Sequence, residues 1–340
     1  MPRRFAWASL PDEKLLQLRL KDLKLTLEGT WLDDCVAELH QELARRGIRV
    51  RPHAWLSDEW FSSEATPGIA IPFYLAHPRL MRLERKKIID VEGGTRAECM
   101  RILRHEAGHV MQHSYQLQRR RKWQQLFGHS STDYPDYYRP NPASRSYVQH
   151  LRLWYAQSHP DEDFAETFAV WMGPRSKWRK RYHGWPALKK LEYMDELMAE
   201  VGDEKPQLTG RSLVDPVSRL SQTLDEYYEA KQARYVTRPP TVHDRDLKRI
   251  FSDDPKHRHA PQASTFLREH GPEIRRMVAK WTSQYQLTLD ALLDEMIARC
   301  RALKLRAPGS ERRMVIDFTV LLTAKTVQSL YSPSRRWFAL

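Results

Sequence analysis

The chain has 340 residues, of which 41% are hydrophobic and 29% are charged, with a net charge of +13. This composition is typical of a soluble globular protein, and the length exceeds what one hydrophobic core usually organises, so we expect two structural units. No apolar run has membrane-spanning length, and the first residues are polar where a signal peptide would be apolar. These features argue against membrane insertion and standard secretion and predict a cytoplasmic protein.

Cysteine usage agrees with a reducing compartment. Cys35, Cys99 and Cys300 are far apart in the sequence, and two of them occupy apolar helical positions. They are predicted to be reduced core residues, which excludes a disulfide framework and a cysteine-based zinc site.

The first predicted elements are a helix and a group of short strands. Apolar residues repeat at helical spacing between Thr30 and Arg46, and Gly47 is a helix stop signal. Short strands follow over about 48–83, which predicts an α+β fold with a small mixed sheet. Within them, Gly68 to Leu75 alternates apolar residues, and Pro72 cannot donate to a strand ladder, so this strand is predicted to lie at a sheet edge.

A long helix is predicted after Gly93-Gly94. Thr95 and Glu98 form a capping-box signature, and apolar residues then recur at helical spacing. This helix contains the pattern HExxH, as His105-Glu106-Ala107-Gly108-His109.

The HExxH pattern has a specific chemical use. His105 and His109 lie one turn apart on one face, roughly 6 Å along the axis, so two ring nitrogens can bind one Zn²⁺ at about 2.0 to 2.1 Å. Zinc lowers the pKa of a bound water to about 7, and the Glu106 carboxylate can accept the proton as that water attacks a carbonyl. The motif therefore predicts zinc-dependent peptide hydrolysis, and the alternative is a pair of surface histidines that bind no metal.

A loop and a second helix follow the motif. Residues 128–146 are rich in Pro, Ser, Tyr and Asp without a period, which predicts a long loop that covers the substrate. The metzincin pattern is excluded because Gln112 and Tyr115 stand where it needs Gly and His. A gluzincin site instead needs a glutamate on a downstream helix, and residues 158–169 provide one, with Ser158 and Asp161 as the predicted cap.

Two glutamates on this second helix share a face with small and apolar residues. A buried carboxylate is costly unless a charged partner meets it, so Glu162 is predicted as the third zinc ligand. Glu166 lies one turn further and could accept the free ring N–H of a histidine ligand. The alternative, an acidic first turn that complements the helix dipole, explains Asp161 and Asp163 better than Glu166.

Together, HEAGH and HPDEDFAETFAVW resemble the putative zinc-binding metallopeptidase family of bacteria, within the gluzincin group that includes thermolysin and anthrax lethal factor. The resemblance covers about 68–171. In the lethal-factor-like members the ligand glutamate opens an ExFAE segment, which Glu162 to Glu166 match. A tyrosine seven residues before it assists at the zinc, and Tyr155 holds that place here. The resemblance implies that Tyr155 stabilises the oxyanion or the leaving group, whereas the alternative is a packed aromatic.

The resemblance also implies a zincin-like fold in which an edge strand beside the zinc helix pairs with the extended substrate. On this basis Ile69, Ile71 and Phe73 are predicted substrate-binding residues. The alternative is an ordinary edge strand that Pro72 and the basic residues after it protect from pairing.

The C-terminal third is predicted to be a separate helical domain. The predicted boundaries are a zincin-like domain over 1–235, a linker over 236–262 that contains Pro239-Pro240, and an all-helical domain over 263–340. Helices are expected over 272–285 and 287–305, because Ile274, Met277 and Trp281 form one apolar line and Leu289 to Leu303 another.

Two other functions compete with the peptidase. The net charge and two basic, aromatic-containing runs at 119–123 and 177–182 would suit a nucleic-acid partner, although no nucleic-acid fold motif is present. A non-catalytic zinc-binding interaction protein is the second alternative. Glu106 argues against it, because a structural zinc site needs no carboxylate beside the metal. The oligomeric state stays open.

Overall fold

The computed structural model describes residues 5–135, 138–235 and 243–331. They form two units: the first takes in the described residues up to 87 and from 91 to 228, and the second takes in 88–90 and those from 229 onward. The fold is α+β, with many helices and one small mixed sheet. In the part of the chain described, no helix is long and apolar enough to cross a membrane.

The helices, in chain order, are α1 (Asp12–Leu16), α2 (Trp31–Arg45), α3 (Pro78–Ile88), α4 (Arg96–Ser114), α5 (Arg121–Phe127), α6 (Pro160–Met172), α7 (Trp178–Arg181), α8 (Ala187–Val201), α9 (Leu224–Tyr235), α10 (Asp244–Ile250), α11 (Ala263–Thr282), α12 (Gln286–Ala302) and α13 (Glu311–Tyr331). The strands are β1 (His53–Ser57), β2 (Phe61–Ser62) and β3 (Gly68–Pro72). Short 3-10 helices include Phe73–Ala76 and Arg152–Gln157.

Helix α2 confirms the first predicted element. The Thr30 side chain accepts a hydrogen bond from the Leu32 N–H, and the apolar positions of the helix are buried. The chain leaves the helix through Gly47, whose φ of 74° favours glycine. On the buried face, Cys35 contacts Cys99 of α4, so two thiols that are distant in sequence meet where α2 packs on the zinc-motif helix. Both cysteines are buried, as predicted for core residues.

The sheet corrects the prediction of an edge strand. Its order is β1-β3-β2, with β1 parallel and β2 antiparallel to β3, so β3 is the central strand. Ile69 and Ile71 are almost fully buried in β3. The strand ends at Pro72 rather than at Leu75 as predicted, and Phe73 is buried in the 3-10 helix that follows. The assignment of Ile69, Ile71 and Phe73 to substrate pairing loses its basis in an edge strand, because β1 pairs along the whole of β3 and β2 pairs with Ile69 and Ala70 on the other side.

The segment after 243 also differs from the predicted linker. Residues 236–242, which include Pro239-Pro240, lie outside the described residues. From Asp244, however, the chain forms α10, and Leu247 and Phe251 are buried in the core of the second unit. This part of 236–262 is not a linker, because its apolar side chains belong to that core.

Helices α11 and α12 lie where two helices were predicted, but α11 begins at Ala263 and contains Pro272 in its interior. The predicted start at 272 assumed that proline opens a helix rather than interrupting one. Trp281, expected on the apolar line, is 80% exposed. Helix α13 was not predicted. The remaining core members include Phe266, Ile274, Leu293, Met296 and Phe318.

Candidate metal centre

Helix α4 carries the HExxH motif through the interior of the first unit. It begins at the Thr95 cap, whose side chain accepts from the Glu98 N–H, as the capping-box signature predicted. His105 and His109 are both buried, with relative exposures of 3% and 7%. The pair is therefore not on the solvent-facing side of the helix, which removes the alternative of two surface histidines.

Helix α6 packs against α4 at very short range. A Cβ added at Gly108 would lie 2.7 Å from the Ala165 Cα, so glycine in the motif allows the two backbones to approach. The cap of α6 differs from the predicted one: the His159 side chain accepts from the Asp161 N–H, whereas the Ser158 hydroxyl donates to the Tyr155 carbonyl. The helix thus begins at Pro160, one residue after its cap.

The two helices bring His105, His109 and Glu162 to one point. The Nε2 atoms of the histidines are 3.2 Å apart, and Glu162 Oε2 lies 3.0 Å from His105 Nε2 and 3.1 Å from His109 Nε2. Ligands of a tetrahedral zinc are about 3.3 Å from one another at the usual bond lengths, so the three atoms already have nearly the required spacing. Of the described His, Cys, Asp and Glu residues, this set could hold a metal ion.

The electrostatics of the cluster favour a cation. Burial lowers the pKa of His105, but hydrogen bonds to Glu162 and Glu166 outweigh it and hold that pKa well above its usual range. Burial raises the pKa of Glu162, yet the charge of His109 and the hydrogen bonds to both histidines bring it below its ordinary value. The carboxylates therefore stabilise positive charge on the two imidazole rings, and a divalent ion that displaces the ring protons would be stabilised by the same carboxylates.

Glu166 lies on the far side of His105 from the cluster. Its Oε1 is 3.0 Å from His105 Nδ1, and its Oε2 accepts from the N–H groups of Leu151 and His150 at 2.8 and 3.2 Å. The Nδ1 of His105 thus has a fixed partner and Nε2 faces Glu162. This is the arrangement in which an outer carboxylate orients a histidine ligand.

Glu106 is buried beside the cluster with 6% of its surface exposed. Burial raises the pKa of its carboxyl group, and the neighbouring charges of His105 and His109 oppose that rise. Ser62, in the short strand β2, also acts on this carboxylate and lowers its pKa. Sequence patterns had not indicated Ser62, because a two-residue strand has no detectable period.

Tyr155 is buried next to the same cluster. Its ring centroid lies 5.7 Å from that of His105, and it follows Leu153 and Trp154, whose φ angles of 61° and 54° turn the 3-10 segment sharply. Strained backbone of this kind is concentrated at functional sites. Burial, followed by the charge of Glu162, raises the pKa of Tyr155 well above its usual value, so the phenol keeps its proton and can donate it in a hydrogen bond.

Two further residues lie near the site: Tyr134, in the loop between α5 and α6, and His113, at the end of α4. Tyr134, which the sequence had not singled out, donates a hydrogen bond to Glu162 Oε1 at 3.0 Å. His113 lies one turn beyond His109, with ring centroids 6.4 Å apart. It borders a polar cavity of about 380 Å³, whose other lining residues are Glu64, Gln118, Arg119, Gln124, His129, Ser130 and Ser131.

The two basic segments that suggested a nucleic-acid partner, 119–123 and 177–182, form ion pairs with acidic residues of the first unit. Arg120 and Lys122 pair with Glu200 and Glu196 of α8 at 2.7 and 2.6 Å. In the second run, Arg179 pairs with Asp195 at 2.6 Å. These contacts reduce the positive charge that the two runs offer to a phosphate backbone.

Comparison with protein families bears on the same segment. Residues 97–179, which include α4, the loop and α6, match the model of a family described as putative zinc-binding metallo-peptidase. The match confirms the predicted resemblance to a putative zinc-binding metallo-peptidase family over these residues, whereas the gluzincin grouping stays a prediction. A zinc-binding family agrees with the His-His-Glu group that could hold a metal ion. No curated protein and no solved structure matches the chain.

Proposed function

We propose that the chain is a zinc-dependent metallopeptidase of the gluzincin type, with a zincin-like first unit. His105, His109 and Glu162 would hold the zinc. The observation that carries the proposal is the convergence of three ligand atoms within 3.0–3.2 Å beside a buried glutamate, inside the segment that matches a zinc-binding family. When bound, zinc polarises the substrate carbonyl and makes a nearby water more acidic.

The residues around the metal would divide the remaining work. Glu106 accepts the proton of the attacking water, for which a buried carboxylate with a raised pKa is suited. Tyr155 donates a hydrogen bond to the oxygen that becomes negative, because its phenol stays protonated. Glu166 orients His105 through Nδ1.

The substrate would lie along β2. With β3 in the centre of the sheet, the outer edge of β2 has no further strand partner among the residues described, and Ser62 in this strand adjoins Glu106. An extended peptide can add to such an edge by main-chain hydrogen bonds, which depend little on sequence. The loop over 128–146 would cover the bound peptide, and the substrate class is a peptide or protein.

Metal analysis and one substitution test this proposal. We expect about one zinc per chain, its loss in His105→Ala, and cleavage of a peptide library by the parent protein. Glu106→Gln keeps the zinc and the fold but loses hydrolysis by a factor of about 10³ or more, because the amide cannot accept a proton.

Glu98→Gln is the matched control, since it makes the same chemical change in the exposed first turn of α4. Equal cleavage rates for Glu106→Gln and the parent would overturn the proposed mechanism. Zinc binding without any cleavage by the parent would instead favour the non-catalytic interaction protein.

A further inference from the structure

Tyr134 links the loop over 128–146 directly to a candidate metal ligand. Its hydroxyl donates to Glu162 Oε1 at 3.0 Å, while Glu162 Oε2 is the oxygen that meets His105 and His109. The two oxygens of one carboxylate therefore have separate partners, one on the loop and one in the histidine pair.

The position of Tyr134 is fixed by the cap of α6. Its ring stacks on the His159 ring, with centroids 3.7 Å apart and planes 16° from parallel. His159 Nδ1 accepts from the Asp161 N–H at 3.2 Å, so Nε2 carries the ring proton and donates to the Thr132 carbonyl at 2.8 Å. One imidazole thus caps the ligand-bearing helix, binds the Thr132 carbonyl and packs against the Tyr134 ring.

A second contact fastens the same stretch of loop to the first turn of α6. The Ser130 hydroxyl donates to Asp161 Oδ2 at 2.9 Å, and Gln112 of α4 donates to Asp161 Oδ1 at 2.6 Å. The outer side of the loop nevertheless faces solvent, since Tyr134 is 50% exposed. The contact with Glu162 is made from a solvent-exposed covering segment and not from the helical core.

Tyr134 would not bind the metal itself, but it hydrogen-bonds to Glu162, which would. A phenol O–H to a carboxylate is a charge-assisted hydrogen bond, which is roughly twice as strong as a neutral one. A phenol keeps its proton at neutral pH, so the Tyr134 hydroxyl remains a donor. This hydrogen bond occupies one lone pair of Oε1 and fixes the orientation of the carboxylate, which favours metal binding through Oε2.

We propose that Tyr134 is a positioning residue that holds Glu162 for one-oxygen metal binding and thereby couples the contact of residues 130–134 with α6 to metal occupancy. The inference rests on the proposed His105–His109–Glu162 site. Because coupling between two binding events is reciprocal, a loop contact that strengthens metal binding must itself be strengthened by the metal.

The test is the zinc affinity of the full-length Tyr134→Phe variant, measured by competition with a chromophoric chelator. Phenylalanine keeps the ring that stacks on His159 and removes the donor. We expect zinc binding to weaken by about 10- to 100-fold, the usual effect of losing an outer-shell partner. The absorption spectrum of the Co²⁺-loaded variant should also shift, because the binding mode of the carboxylate changes.

Tyr138→Phe is the matched control. It removes a hydroxyl from the same loop, but that hydroxyl donates to the Leu153 carbonyl at 3.0 Å and not to a metal ligand. We expect its zinc affinity and Co²⁺ spectrum to equal those of the parent. Thermal melts of the three metal-free proteins separate a folding defect from a binding defect.

The outcomes are distinct. If Tyr134→Phe binds zinc within twofold of the parent, or if both tyrosine variants weaken equally, the role of Tyr134 is wrong while the metal site stands. If the parent binds no zinc, both the metal site and this inference fail.

Discussion

The two sides of α6 bury acidic residues in two different settings. Toward α4, Glu162 and Glu166 meet the ring nitrogens of His105. Toward α8, Asp163 meets the Lys190 ammonium at 2.5 Å, and both side chains are almost fully buried.

The difference lies in what the partner can offer a metal. An imidazole has a ring nitrogen with a lone pair, and two of them beside a carboxylate give three ligands at one point. An ammonium has three donors and no lone pair, so the Asp163–Lys190 pair neutralises itself and leaves no ligand set. Burial of an acidic residue therefore does not identify it as a metal ligand, whereas the chemical type of its partner does.

The largest difference in zinc affinity should be between substitutions of two adjacent acidic residues on α6, Glu162 and Asp163. Glu162→Gln removes a ligand and its charge, so we expect zinc affinity to fall by more than about 100-fold, beyond the loss of an outer-shell partner. Asp163→Asn should leave zinc affinity within a few-fold of the parent, because the Asp163 carboxylate meets Lys190 rather than the histidine pair. Chelator competition measures both. An equal loss of zinc in the two variants would remove the distinction between the two sides.

A smaller effect is expected where α4 touches the ligand-bearing side of α6. Gly108→Ala would place a Cβ 2.7 Å from the Ala165 Cα and 3.1 Å from its carbonyl oxygen. Overpacking of this kind costs about 1–3 kcal/mol, while alanine regains about 1 kcal/mol in helix propensity. We expect a net loss of about 1 kcal/mol in urea unfolding, with weaker zinc binding because the helices are forced apart.

Gly210→Ala is the control for this change, since the nearest atoms to its Cβ would be 3.8 Å away in ordinary contact. A Gly108→Ala variant as stable as Gly210→Ala, with zinc affinity equal to that of the parent, would mean that the close approach of α4 and α6 does not set the ligand geometry.

The parts of the site that sequence predicted are those that depend on local spacing. The helix with its Thr95 cap, the turn between His105 and His109, and the shared face of Glu162 and Glu166 all follow from a 3.6-residue period and cap chemistry. In the structure, His105, His109 and Glu162 lie close enough together to hold a metal ion, and Glu166 contacts His105.

The parts that sequence missed depend on contacts between distant segments. The central place of β3 is decided by its pairing with β2, a strand of two residues with no period of its own. Tyr134 reaches Glu162 through the path of an irregular loop, 28 residues away. Likewise, an acidic first turn gave no sign that Asp163 pairs with Lys190, so the helix-dipole explanation of Asp163 was incomplete.

The last prediction concerns stability rather than zinc affinity, and it tests the pH dependence of the Asp163–Lys190 side of α6. Burial raises the pKa of Asp163 from 3.8 to about 7, against the opposing charge of Lys190. The folded protein thus holds this proton more tightly than the unfolded chain. The stability contributed by Asp163 is therefore fully present below about pH 4 and is lost as the pH rises to 7. Asparagine cannot titrate, so in metal-free protein the stability of Asp163→Asn relative to the parent should improve by up to a few kcal/mol between pH 4 and 7. Denaturant unfolding at each pH measures this difference. If the stabilities of the parent and of Asp163→Asn instead change in parallel from pH 4 to 7, the pKa of Asp163 is not raised in the folded protein, and this prediction is wrong.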